Sequence, residues 1–274
     1  MAVNKEFILT KEGHEKAVLL FHGLTGSPGE LYRFGLDLFN AGYDVYCPVL
    51  PGHCQDAEAI KLARWEEWHA FALKNFDELA GRYQAVCLSG ICLGSVLALS
   101  VAAERKTVRA MAALSSTFFL DGWSLPPVRV LMPLSFVTIF KSLYAFPEKG
   151  PMGVKNRAVR RQVEKSMNSE NAAALNCFPL LCVYELSKLA RFVRKRLHQV
   201  TIPVIIIHSN HDDLASMKNA HVIARGVKSV RKEMVVLRNS YHLITLDNEK
   251  DVVSEKTIAF FRSLDHDQSA TVHA

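Results

Sequence analysis

Cysteine is scarce: six residues, at 47, 54, 87, 92, 177 and 182, in a chain of 274. Six thiols in a chain of this length do not make a disulfide scaffold, and Cys47, Cys87 and Cys182 sit in apolar runs as small core residues do. Reduced thiols in a cytoplasmic protein are the expectation. Cys47, His53 and Cys54 match no zinc-ligand spacing, so no metal is expected. Long apolar runs are missing as well. The longest apolar segment, Trp123 to Phe140, is broken by Pro126, Pro127, Arg129 and Pro133, which argues against a membrane-spanning helix. The opening MAVNKEFILT lacks the basic and apolar regions of a secretory leader, and neither end carries a lipidation motif. There is no internal repeat and no low-complexity tract. No nucleic-acid-binding motif accompanies the basic residues, so nucleic acid is not an expected partner.

What is present is alternation. AVLLFHG (17–23), AVCLSGI (85–91), VRAMAALSS (108–116) and PVIIIHSN (203–210) are short apolar runs and read as buried strands. DVYCPVLPGH (44–53) reads as a strand and a turn, and EMVVLRNS (233–240) as the last strand. Helical spacing fills the gaps, over 27–43, 64–83, 92–105, 215–226 and about 247–264. Strands alternating with helices predict an α/β fold, a mostly parallel sheet covered on both faces. The alternation stops between 117 and 199, where no strand pattern is visible. That stretch reads as an insertion at the carboxyl edge of the sheet, where such folds place their ligand sites.

Charge is concentrated in the same stretch. Residues 141–200 hold twelve Lys/Arg against four Asp/Glu, a surplus larger than the +6 of the whole chain, so the remainder is net acidic. RAVRRQVEK (157–165) and KLARFVRKRLHQ (188–199) are either solvated helix faces or a docking surface for an acidic partner.

The chemistry is carried by LSGICLGS (88–95). Gly90-Ile91-Cys92-Leu93-Gly94 lies between a strand and a helix, the setting of a nucleophile elbow. Cys92 is the candidate nucleophile. The amide of Leu93, just after it, is a candidate oxyanion donor, and HGLTGSPG (22–29) supplies a second, from Leu24. His22 is read as a brace for that loop. Asp212 follows the strand ending near His208, and His242 follows the strand ending near Asn239. The order nucleophile, acid, base assigns Asp212 and His242 as acid and general base. Asp213 is read as a helix cap or a neighbour.

These segments resemble the α/β-hydrolases of the carboxylesterase and monoacylglycerol-lipase group. The matching stretches are LLFHGLTGSPGEL, YCPVLPGHC, WEEWHAFA, GICLGS, IPVIIIHSNHDD and NSYHLITLD. The resemblance implies an α/β-hydrolase core over 1–117 and 199–274, with a helical cap inserted over 118–198. It implies a carboxylic-ester substrate, no cofactor, Cys92 as nucleophile, Asp212 and His242 as its partners, and Leu24 and Leu93 as oxyanion donors. The chain departs from the pattern at Cys92, where serine is usual, and at Cys54, Ser95 and Ser209, where glycine is common.

A thiol at a helix N-terminus near a histidine is placed to react, and its acyl-enzyme is an exchangeable thioester. Four readings follow: a cysteine-dependent ester or thioester hydrolase, an acyltransferase fed by a carrier protein or coenzyme A, a serine hydrolase converted to cysteine to trap its acyl-enzyme, and a non-catalytic acyl-binding module. The apolar stretch 118–140 could line an acyl tunnel with residues such as Trp123, Leu131 and Phe136. The basic helices could dock an acyl carrier protein or an anionic membrane surface.

Overall fold

The computed structural model describes residues 5–55, 57–125, 145–147, 150–167 and 177–271. Seven strands form one sheet in the order β1 (Phe7–Leu9), β3 (Asp44–Cys47), β2 (Lys16–Phe21), β4 (Ala85–Ile91), β5 (Met111–Leu114), β8 (Val204–Ser209) and β9 (Lys232–Leu237). All neighbours are parallel except β1, which pairs antiparallel with β3, Phe7 opposite Cys47. This is the mostly parallel α/β-hydrolase sheet expected, with helices on both faces.

The period-2 alternation of the strands divides the core. Leu19, Phe21, Val86, Leu88, Met111, Ala113, Val204 and Ile206 face one layer. Val18, Leu20, Val45, Cys87, Ala112, Ile205, Ile207 and Leu237 face the other. The first layer is covered by α3 (Trp65–Ala80), α4 (Leu93–Glu104), α6 (Leu180–Arg194) and α7 (Lys218–Gly226), the second by α1 (Tyr32–Asn40) and α8 (Lys250–Thr271). α4 is buried along its whole length from Leu93 to Ala103. A helix that is apolar all round is stable only when enclosed, and α3 and α6 enclose it.

Three local differences from the sequence reading have physical causes. The helix expected from residue 27 begins as a short 3-10 helix (Pro28–Leu31) and turns α-helical only at Tyr32. Glu30, in that 3-10 turn, sends its side chain back to the Gly23 amide. The helix expected from 215 starts at Lys218, because the Asp212 carboxylate takes the amides of Leu214 and Ala215 in a turn of its own. The stretch 117–199, read as strandless, holds a two-stranded antiparallel ribbon, β6 (Ala145–Pro147) and β7 (Cys177–Pro179), too short for any periodicity to register. It also holds α5 (Arg157–Met167) and α6. The basic segment 188–199 overlaps α6, whose other face buries Leu180, Cys182, Val183, Leu186, Leu189, Ala190 and Val193 against the core. α2 (Ala57–Leu62) lies beside α6. Among the described residues no helix is long and apolar enough to cross a membrane.

Candidate active site

Cys92 sits between β4 and α4 with φ 57° and ψ −118°. A side chain in this region of backbone space is strained. The flanking glycines make the turn possible. A Cβ on Gly94 would lie 1.9 Å from the Phe21 carbonyl oxygen, and one on Gly90 would lie 2.4 Å from the Gly94 carbonyl carbon. The Gly-x-Cys-x-Gly spacing is therefore a steric requirement of threading the chain between β2 and α4. Leu93 is the first residue of α4, where an amide has no intrahelical acceptor.

The loop after β2 runs beside the cysteine: a Cβ on Gly23 would lie 3.6 Å from Cys92 Cβ. Side chains hold three successive peptides of this loop. The Gly23 amide donates to Glu30 Oε2 at 3.1 Å. The Gly23 carbonyl accepts from His22 Nδ1 at 2.9 Å, while His22 Nε2 accepts from the Leu50 amide. The Leu24 carbonyl accepts from His53 Nε2 at 2.8 Å. Because a trans peptide points its N–H opposite its carbonyl, the His22 bond turns the Leu24 amide away from His22. Burial first, and His53 second, pull the His22 pKa down to about 3, so the ring is a neutral brace.

His242 lies beyond β9 and is buried. Its Nδ1 is 2.8 Å from Asp212 Oδ2 and 3.0 Å from Oδ1. Burial opposes the imidazolium, but Asp212 and the Cys92 thiol outweigh it, and the His242 pKa stands well above the usual 6.5. The Cys92 sulfur favours the imidazolium through the negative charge of its thiolate form and as a weak hydrogen-bond partner, yet Nε2 completes no hydrogen bond of ordinary geometry. One ring nitrogen is committed and the other is open beside a sulfur. Burial works against the Asp212 carboxylate, but His242, His208 and the Ala215 amide hold its pKa below the usual carboxylate value.

Asp213 is not the helix cap. Its Oδ1 accepts from the His242 amide at 3.2 Å and its Oδ2 from the Gly153 amide at 3.1 Å, which fixes the histidine's backbone. Asp212 closes the turn over Leu214 and Ala215, ahead of the helix, while gripping the imidazole. A second brace is Asp247, whose carboxylate collects the amides of Tyr241, Lys155 and Asn156. Ser209 and Ser95 also have partners. The Ser209 hydroxyl donates to the Ser240 carbonyl, beside His242, and that of Ser95 lies 2.6 Å from Ser116 Oγ.

The pattern of the serine aminopeptidase S33 family matches residues 12–251. The chain belongs to this family. Among its relatives is the thermostable monoacylglycerol lipase of Bacillus sp. (strain H-257), 26% identical over 89% of each chain. The carboxylesterase of Bacillus subtilis (strain 168) is 24% identical over 93% of this chain and 96% of that one. A metagenome-derived lipolytic enzyme superposes with a TM-score of 0.81 at 23% identity, covering 95% of this chain and 98% of its own. The Paleococcus ferrophilus monoacylglycerol lipase gives 0.78 at 16% identity, covering 94% and 98%. The two solved structures share the fold of this serine aminopeptidase family member, which carries a cysteine where β4 meets α4.

Around the family's site the structure distributes the remaining expected residues. Trp123 is at the rim, 59% exposed, donating from Nε1 to the His211 carbonyl and packing edge-on against Tyr241. Leu131 and Phe136 lie outside the described residues. The His211 side chain is exposed, away from the His242–Asp212 pair. The residues that sequence reasoning missed are Glu30, Asp213 as a brace, Asp247 and Gly153. A Cβ on Gly153 would press on the Leu243 side chain at 2.9 Å. No local pattern announces them: Asp213 and Asp247 bind main-chain groups of distant segments, Gly153 supplies one of those groups, and the Glu30 bond depends on the 3-10 turn.

Proposed function

We propose that the protein is an acyl-ester hydrolase acting through a covalent acyl-enzyme on Cys92. His242 is the general base, Asp212 orients it, and the amides of Leu24 and Leu93 receive the oxyanion. The observation that carries this reading is His242, its Nδ1 held by Asp212 and its buried Nε2 open beside the Cys92 thiol. The names of the two Bacillus relatives support an ester substrate.

The steps balance on these groups. Cys92 Sγ passes its proton to His242 Nε2 and attacks the substrate carbonyl carbon. A C–S bond forms, and the carbonyl π pair moves onto oxygen between the two amides, each worth about 3 kcal/mol there. The pair returns, the bond to the leaving oxygen breaks, and that oxygen takes the proton from His242. Water then gives a proton to His242 and its oxygen to the thioester carbon. The C–S bond breaks and sulfur recovers the proton. Because the intermediate is a thioester, transfer to an amine, thiol or hydroxyl acceptor is the second reading, favoured by cysteine at position 92.

Residues 118–198 are read as the cap over this site. Arg194 and Lys218 both lie over the Phe119 ring, 4.8 Å and 4.3 Å from its centroid. These cations support docking of an acidic acyl carrier or an anionic surface at this edge. Intact mass spectrometry after incubation with a panel of activated esters tests the core of the reading. An acyl adduct is expected on the wild type and none on C92A. Turnover by C92A, or a wild type that is never acylated, refutes it. Product analysis with added acceptors separates hydrolysis from transfer: free acid alone removes the second reading.

A further inference from the structure

Glu30 is used by no step above, yet its two polar ends reach both halves of the site. Its carboxyl accepts the Gly23 amide at 3.1 Å, at the start of the donor loop. Its main-chain carbonyl accepts the hydroxyl of Thr245 at 2.8 Å, three residues beyond His242. The residue is only partly covered, but its carboxyl is enclosed by protein. The loop is shaped to admit it: a Cβ on Gly26 would lie 1.6 Å from Glu30 Oε1, and one on Gly23 would lie 3.2 Å from Oε2. Gly23 thus stands between the Glu30 carboxyl and Cys92.

We propose that Glu30 is a positioning residue, locking the His22–Gly23 peptide beside Cys92, and with it the Leu24 amide one peptide on, while tying the donor loop to the histidine loop through Thr245. The proposal rests on the acyl-enzyme reading. His22 and His53 hold the next two peptides of the loop from the other side, so removing Glu30 frees one end of a three-point mount. A donor displaced by a fraction of an ångström still lets substrate bind, but it meets the oxyanion poorly. The cost then falls on kcat and spares KM. The titratable groups facing the carboxyl are His242 across the site, and Cys47 and Cys54 from β3 and the turn after it. Burial pushes the Glu30 pKa up to about 7, against the pull of the Gly23 amide and His242.

The test compares wild type, E30A, E30Q and T245V in steady-state and acylation-burst kinetics with a p-nitrophenyl ester. E30A should lose about 10- to 100-fold in kcat with KM within about twofold. E30Q keeps an acceptor for the Gly23 amide and should return to within about fivefold of wild type, a recovery that loss of bulk does not explain. T245V should lose about threefold in kcat. Wild-type kcat in E30A, a loss confined to KM, or E30Q no better than E30A overturns the proposal. Should E30A fail to fold, the other two variants decide: T245V at wild-type kcat, or E30Q falling with it into KM, overturns the proposal. A wild type that is never acylated removes the acyl-enzyme reading and this proposal together. An acylated wild type with an indifferent E30A removes this proposal alone.

Discussion

Replacing Asp212 with asparagine asks whether the carboxylate sets the histidine's tautomer. The direction in which the amide settles follows from its neighbours. Asp212 Oδ1 accepts the Leu214 amide at 2.9 Å and the Ala215 amide at 2.7 Å. Only an oxygen can take those two donors, so the asparagine NH2 must occupy the Oδ2 place, 2.8 Å from His242 Nδ1. There it donates to Nδ1, the ring proton moves to Nε2, and the nitrogen facing Cys92 can no longer accept a proton. In serine triads the equivalent change costs roughly 10⁴ in kcat. A thiol ionises more readily, so the expected loss is about 10²- to 10³-fold, or about 3–4 kcal/mol of activation free energy. Stopped-flow acylation by a p-nitrophenyl ester at pH 7 measures it. D212A is the control: it also strips the acceptor from Leu214 and Ala215, so its Tm should fall well below that of D212N. D212N acylating within about fivefold of wild type would refute the tautomer argument.

Three further outcomes follow. G94A places a methyl 1.9 Å from the Phe21 carbonyl oxygen, and should lower stability by more than about 3 kcal/mol in urea unfolding; a loss below about 1 kcal/mol contradicts the steric account of the elbow. C54G relieves a cysteine held at φ 55°, and should raise stability by about 1 kcal/mol with turnover unchanged; a lower Tm argues that the thiol packs usefully. Glu30, with its pKa pushed from 4.5 to about 7 by burial, penalises folding once ionised. The contribution of this group should therefore be fullest below pH 4.5 and fall by about 3 kcal/mol as pH rises to 7, a fall that E30Q abolishes; parallel pH profiles for the two proteins exclude it.

The legible parts of this protein are those whose signal is local. β4 and α4 were readable to within a residue because a seven-residue apolar run meets an apolar helix at a Gly-x-Cys-x-Gly turn. The pairing of Asp212 with His242 was readable from their places after β8 and β9. β1 was not, since three residues show no period and the antiparallel pairing with β3 is a tertiary choice. The ribbon β6–β7 escaped for the same reason. Asp213 and Asp247 were illegible as braces, because they grip amides 60, 91 and 92 residues away. A carboxylate that binds main chain leaves no complementary side chain to pair with in the sequence. Glu30 is the intermediate case: its partner is seven residues away, but the bond needs the 3-10 turn that replaced the expected helix start.

β5 and β8 lie side by side in the sheet, Leu114 opposite Ile207, although some ninety residues separate them along the chain. During synthesis Cys92 emerges long before β8 and β9, the strands that Asp212 and His242 follow. Its turn is held by β2, β4, β5 and α4, all of them synthesised while His242 is still unmade. Until β8 and β9 dock, the sulfur has a bent turn and a helix end but no imidazole to take its proton. Loop closure across the insertion costs little more than across a short connection, since the entropy grows only with the logarithm of length. That late docking step thus costs little, and on the proposed function it is also the step that brings His242 to the thiol. On that proposal the nascent chain carries its thiol without a histidine until the last quarter of the chain is in place.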